Sequence, residues 1–328
     1  MMPSRLALGF NPVLPVREAV KLAQRAEQLN YESVWFHESL YQRDVFSYLS
    51  AVLLSTSKML ACSGALNTFT RHPLTAAATF ASLSETSGGR AIMGLALGSF
   101  PTIPNIGYKI FPVAETKPLQ RISEYVTIVK SYWAGEKLSF KGRFFTAENL
   151  QSDFRPEHPV PLYIASLSPK TQAYAGSHAD GAILSPAVST PETTRSMAAN
   201  VDEGAAGRKV DKASYLLTSV DEDGEKARKV VRNFYFFLYQ LSDVVKPEVL
   251  ESYGVRSEEL DAFRTAWKNH TPDANSLVPK AAIDALAVAG TPSEAKKRLE
   301  EYRRAGVALP ILMPIGNVNY AIDSLAPD

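Results

Sequence analysis

Short apolar runs alternate with amphipathic stretches along this chain, and the alternation repeats eight times. The first run, Leu6, Ala7, Leu8, Gly9 and Phe10, stops at Asn11-Pro12, and so short an unbroken run predicts a strand buried on both faces. From Pro15 onward Val16, Val20, Leu22, Ala23, Ala26 and Leu29 recur at helical spacing, with Arg17, Glu18, Lys21, Arg25 and Glu27 on the other face. That is the pattern of an amphipathic helix. Further strands are predicted at 33–36, 59–62, 91–98, 161–166, 180–185, 215–220 and 310–315, with helical patterns at 45–57, 74–87, 119–133, 169–177, from Pro191 onward and at 222–241. Residues 137–145 read as a small hairpin turning at Lys141-Gly142. The more polar stretch 242–289, broken by Pro247, Gly254 and Pro272, reads as a helical excursion. Thr291, Pro292 and Glu294 then supply a hydroxyl cap, a first-turn proline and a capping-box glutamate for the last long helix.

Eight strands alternating with helices, with no linker or composition shift between them, predict a (β/α)8 TIM barrel in one domain spanning 1–328, with insertions after strands four and seven. An open doubly wound sheet is the alternative. The length of 328 residues agrees with the barrel, since barrels run to about 250 residues and beyond.

The third β/α unit, 58–90, stands out. Its strand breaks at Ser63-Gly64, passes through Asn67-Thr68-Phe69-Thr70-Arg71-His72-Pro73, and becomes an alanine-rich helix that stops at Gly88-Gly89. Ligands of parallel α/β proteins sit beyond the carboxyl ends of the strands, so this loop either lines a binding site or is an ordinary strand-to-helix connection. The other candidate residues placed at strand ends are Asn11, His37, Glu38, Ser39, Gly98, Ser99, 166–169, Ser185 and Pro314.

Composition narrows the partner. The 35 basic and 34 acidic residues are interspersed, for a net charge of +1, so neither a nucleic acid nor a membrane surface is expected and a small molecule is. The single cysteine, Cys62, lies in an apolar strand and reads as a small buried hydrophobe in a chain without an internal disulfide. With no signal peptide visible at the amino terminus and no apolar run of bilayer length, a cytoplasmic location is expected. No metal is expected either, because the five histidines are scattered and no His-Glu-x-x-His pattern occurs. Also missing are a Gly-x-Ser-x-Gly elbow, a Walker loop, a complete Gly-x-Gly-x-x-Gly fingerprint and a strand-tip lysine. A polar, glycine-rich barrel mouth with few catalytic side chains suits a redox cofactor that carries the chemistry itself.

Residues 33–38, Arg43-Asp44-Val45-Phe46, Gly64-Ala65-Leu66-Asn67-Thr68-Phe69-Thr70-Arg71-His72-Pro73, Ser87-Gly88-Gly89-Arg90-Ala91, Ala179-Asp180-Gly181-Ala182 and 290–294 together resemble the bacterial luciferase-like superfamily. The Thr-Arg-His-Pro run is closest to its branch of methylenetetrahydromethanopterin reductase and related oxidoreductases that use the deazaflavin coenzyme F420. The resemblance implies an F420-dependent oxidoreductase exchanging hydride at the deazaflavin C5. The alternatives are an FMN-dependent monooxygenase fed by a flavin reductase, or a non-catalytic flavin- or deazaflavin-binding protein.

It further implies a non-prolyl cis peptide at Gly64-Ala65 behind the central ring, with Asn67, Thr68, Gly98 and Ser99 against the ring or ribityl chain. Ser166, Leu167 and Ser168, with Gly176, Ser177 and His178, are implied at the cofactor phosphate. Glu38 occupies the family's acidic position, followed by Ser39 where relatives often carry histidine, and this pair is the implied catalytic one. Arg71 and His72 read better as scaffolding of the loop or as the start of the following helix. Gly9 stands where methanopterin reductases carry a glutamate, which points to a different substrate. A homodimer through helices near strands two and three is implied as well.

Overall fold

The computed structural model describes residues 5–38, 42–98 and 117–327. Its strands are β1 (Ala7–Phe10), β2 (Ser33–Phe36), β3 (Leu60–Ser63), β4 (Leu66–Asn67), β5 (Ala91–Ala96), β6 (Leu138–Lys141), β7 (Thr146–Leu150), β8 (Leu162–Ala165), β9 (Gly181–Ala187), β10 (Asp211–Val220), β11 (Val288–Gly290) and β12 (Leu309–Pro314). All but the antiparallel pair β6–β7 belong to one sheet, in the order β1-β2-β3-β5-β8-β9-β10-β12, with β12 pairing back to β1. This is the predicted (β/α)8 barrel. β4 pairs alongside β5 and β11 alongside β10.

Helices α1 (Val16–Gln28), α2 (Val45–Ser55), α3 (Pro73–Ser87), α4 (Pro118–Ala134), α5 (Pro169–His178) and α6 (Pro191–Ala205) follow successive strands. After β10 come α7 (Gly224–Arg232) and α8 (Tyr235–Asp243), then α9 (Pro247–Glu251), α10 (Ser257–Lys268) and α11 (Lys280–Leu286) in the stretch expected as an excursion, and α12 (Pro292–Arg304) and α13 (Val318–Ser324) complete the chain. Among the described residues no helix is long and apolar enough to cross a membrane, and no cluster of three metal-ligating side chains occurs.

Two compact units are distinguishable. One comprises 9–183 and 200–211, the other 1–8, 184–199 and 212–328. In the first, Trp35 is fully buried, donates its indole N–H to Ser33 Oγ at 2.8 Å and meets Tyr163 edge-on at 5.3 Å. Phe36 stacks on Tyr48 at 4.9 Å. The entry into β3 is fixed by Glu27, which accepts the backbone N–H groups of Ser57, Lys58 and Met59 at 2.9, 2.6 and 2.8 Å. Gly88 closes α3 in the left-handed conformation at φ +67°, which glycine adopts without steric cost.

In the second unit the buried Arg228 guanidinium gathers Asp284, Glu294 and Glu225, tying α7 to α11 and to the start of α12. Thr291 and Glu294 form the predicted capping box.

Candidate functional site

β2 to β5, α3, α4 and α5 all lie in the unit of 9–183 and 200–211. The break after β3 has a physical origin at Gly94. A Cβ there would fall 2.1 Å from the Ser63 carbonyl oxygen, so only glycine admits the approach. Ser63 Oγ donates to the Gly94 carbonyl at 3.0 Å and accepts its N–H at 2.9 Å, replacing ladder bonds where the backbone leaves regular pairing. The Gly64–Ala65 peptide bond that follows is cis, at the position named from the resemblance. The chain rejoins the sheet as β4, and Thr68, buried, donates its N–H to the Ala96 carbonyl at 3.2 Å and its hydroxyl to the Leu97 carbonyl at 3.3 Å.

Asn67 folds back on the loop, its Oδ1 accepting the Phe69 N–H at 2.8 Å. Its amide lies over Gly98, where φ is +103° and a Cβ would come within 2.2 Å of Asn67 Nδ2. Ala65, Asn67 and Gly98 are each partly exposed, and none of the three carries a side chain larger than an asparagine. This surface suits a ring system lying close to the backbone.

Glu38 sits at the end of β2 with a side chain only 4% exposed. One carboxylate oxygen accepts the Asn67 N–H at 2.6 Å and the Thr70 hydroxyl at 3.3 Å, and the other accepts Arg71 Nε. Arg71 also donates to Asp44, the N-cap of α2, and lies over the Phe46 ring at 4.5 Å. Burial alone would lower the Arg71 pKa, but the bonds to Glu38 and Asp44 outweigh it and raise it. The carboxylate named as catalytic is thus occupied in holding the loop, and Arg71 is its partner in doing so. His72 caps α3, its Nδ1 accepting the Leu74 N–H at 3.3 Å.

His37, the residue before Glu38, is a neutral donor to the Gly64 backbone. Burial pushes its pKa down to about 4, opposed by its hydrogen bond to the Gly64 backbone. Sequence reasoning placed His37 at a strand end without giving it this role.

The residues named for a phosphate separate into two places. Ser166 Oγ accepts the Ser168 N–H at 3.0 Å, and Ser168 is the N-cap of α5 without using its hydroxyl as a cap. Leu167 between them is exposed. These groups stand at a helix start, which attracts anions. Gly176, Ser177 and His178 occupy the other end of α5, whose ten residues span about 15 Å. Gly176 is a packing glycine, since a Cβ would meet the Val201 carbonyl of α6 at 2.1 Å. His178 stacks on Tyr174 at 4.1 Å, bonds Ser177 Oγ at 2.6 Å, and its carbonyl accepts Lys130 Nζ at 2.5 Å. A carboxyl-terminal helix end presents carbonyls, so the structure does not bring this trio to the place where Ser166 and Ser168 lie. Ser39 and Ser99 fall outside the described residues, as does the side chain of Ser185.

One contributor went unsuspected. Arg121 on α4 donates to the Thr68 carbonyl at 3.1 Å and lies over Phe69 at 4.0 Å. Its separation of 53 residues from Thr68 leaves no local pattern to read.

Comparison with known proteins places these features in context. The family model described as luciferase-like monooxygenase matches residues 3–309. A 5,10-methylenetetrahydromethanopterin reductase of Archaeoglobus fulgidus is 28% identical over 323 residues, covering 95% of this chain and 94% of its own length. An F420-dependent glucose-6-phosphate dehydrogenase of Amycolatopsis mediterranei is 28% identical over 230 residues, 66% of this chain and 69% of its own length. The solved structure of the coenzyme F420 dependent tetrahydromethanopterin reductase from Methanopyrus kandleri matches with a TM-score of 0.84 at 24% identity, covering 98% of this chain and 96% of that one. The shared feature there is the fold.

Proposed function

We propose that this chain, which belongs to the luciferase-like monooxygenase family, is an F420-dependent oxidoreductase that exchanges hydride between the deazaflavin C5 and a small organic substrate. The observation that carries this reading is the low surface of Ala65, Asn67 and Gly98 at the ends of β3, β4 and β5, where side chains are small and the backbone is held from several sides. Relatives of matching sequence include a methylenetetrahydromethanopterin reductase and a dehydrogenase named as F420-dependent, which favours the deazaflavin over FMN.

When bound, F420 supplies the hydride-exchanging carbon. The chain's own part is to bind and orient. Ala65 leaves room for the ring, Gly98 admits the Asn67 amide that borders it, the buried Thr68 anchors the loop to the Ala96 and Leu97 carbonyls, and Ser166 and Ser168 with the start of α5 offer donors to an anionic tail. Glu38 fixes the Asn67 backbone. β1 carries Gly9, where methanopterin reductases carry the glutamate noted above, so the substrate we favour is not a pterin.

The test is anaerobic turnover of F420 with alcohols, aldehydes, sugar phosphates and enones, followed by deazaflavin absorbance. Substrate-dependent absorbance change is the expected result. Its absence, together with oxygen consumption on reduced FMN, would replace this reading with the monooxygenase.

We also propose a homodimer through α2 and α3. Leu54 is 70% exposed there, beside a groove of about 310 Å³ lined by Ser50, Leu53, Thr79, Ser82, Leu83 and Thr86. Sedimentation of wild type and Leu54→Glu should give a dimer and a monomer, and identical masses would sink the proposal.

A further inference from the structure

The Asn67–Thr68 dipeptide is held at its two ends by groups of opposite charge. Its N–H, on Asn67, donates to the Glu38 carboxylate at 2.6 Å, and its carbonyl, on Thr68, accepts Arg121 Nη2 at 3.1 Å. The Glu38 side of this clamp is built from β2, while the Arg121 side depends on the hairpin β6–β7.

Arg121 stands in the first turn of α4. Its guanidinium faces Phe69 at 4.0 Å, Phe144 at 4.9 Å and Phe145 at 5.2 Å, contacts in which a planar cation gains from the ring faces. The two hairpin phenylalanines are fixed in turn by Glu124, one turn further along α4 and buried. Its carboxylate accepts the N–H groups of Arg143, Phe144 and Phe145 at 2.9, 2.8 and 3.2 Å. Burial would raise the Glu124 pKa, but these backbone bonds and that from Gln120 hold it below the ordinary carboxylate value. Gly142 permits the approach, since a Cβ there would fall 2.3 Å from Glu124 Oε2. Phe145 also meets His72, the cap of α3, edge-on at 5.8 Å.

We infer that Arg121 is a positioning residue for the cofactor site, and that the hairpin β6–β7 acts through it to set the Asn67–Thr68 backbone against the bound ring. The inference rests on the F420 reading above. Lysine could donate one bond to the Thr68 carbonyl but could not stack on three rings, so Arg121→Lys retains part of the effect and Arg121→Met none.

The experiment combines F420 titration by fluorescence, thermal denaturation and amide hydrogen exchange on wild type, Arg121→Lys, Arg121→Met, Phe144→Leu and Arg228→Met. Arg228 lies in the other unit, and its variant loses three ion pairs far from this loop in sequence. Arg121→Met should weaken F420 binding about tenfold, with Arg121→Lys between it and wild type and Phe144→Leu shifted in the same direction. Exchange at the Phe69 and Thr70 amides should rise in Arg121→Met without any cofactor present. Arg228→Met should lose thermal stability yet keep wild-type affinity and exchange in the loop. Wild-type affinity in Arg121→Met, or an equal loss in Arg228→Met, would overturn the inference. Failure of wild type to bind F420 would instead refute the cofactor reading, and the loop exchange would still decide whether Arg121 holds Asn67–Thr68.

Discussion

His37 gives the sharpest test of the site's interior. Its imidazole is kept neutral by burial, with a pKa pushed down from 6.5 to about 4, while it donates to the Gly64 backbone. The unfolded chain therefore takes up a proton below pH 6.5 that the folded chain refuses until about pH 4, so stability contributed by His37 is present at neutral pH and is lost as the pH falls through that window. At 1.36 kcal/mol for each pH unit, the full interval corresponds to about 3 kcal/mol, of which about 2 kcal/mol is lost between pH 7 and pH 5. Urea unfolding of wild type and His37→Gln at both pH values isolates this contribution. Carboxylates held low, such as Glu27 and Glu124, act alike in both proteins and cancel in the difference. Wild type should lose about 2 kcal/mol more than the variant on acidification. Equal losses in both proteins, or a His37 ring that titrates near its ordinary value by NMR, would show that the imidazole is not held neutral by burial.

Further consequences follow from the loop and from α5. Glu38→Gln leaves Arg71 and Asp44 paired but removes the charge that holds Arg71 and the Asn67 N–H. It should destabilise the protein by about 2 kcal/mol in urea melts and weaken cofactor binding, whereas a stability equal to wild type would show the clasp to be idle. Gly176→Ala drives a Cβ to 2.1 Å from the Val201 carbonyl and should cost about 1–3 kcal/mol by thermal denaturation. Because Gly176 lies at the far end of α5 from Ser168, cofactor affinity should stay at the wild-type value, and a tenfold loss of affinity at unchanged stability would return Gly176 to the binding site.

Parallel strands buried on both faces read as bare apolar runs, which is why β2 matches the expected 33–36 and why β3 and β12 differ from expectation by a residue. Val288–Gly290 forms a strand where a helical stretch is expected, because three residues carry no period. The run 222–241 predicts one helix but breaks between Arg232 and Tyr235; the apolar positions Val231, Phe234, Phe237 and Leu238 continue across the break, and no glycine or proline marks it.

The loop 64–72 was legible as a feature because its turn residues stand out against an apolar strand and an alanine-rich helix. Its supports were not. A carboxylate at a strand end looks the same in sequence whether it faces a ligand or, as Glu38 does, an arginine 33 residues away. Arg121 and Glu124 read only as polar positions of an amphipathic helix, because their partners arrive from the loop and from the hairpin. Gly176 to His178 followed the family pattern in sequence, but the rise of a helix puts them a full element length from Ser168.

If the surface at Ala65, Asn67 and Gly98 receives a deazaflavin, F420 must outcompete FMN there. The most direct measurement is equilibrium titration of the purified protein with F420 and with FMN under identical conditions. F420 should bind at least about tenfold tighter than FMN, and equal or reversed preference would rule out a deazaflavin site.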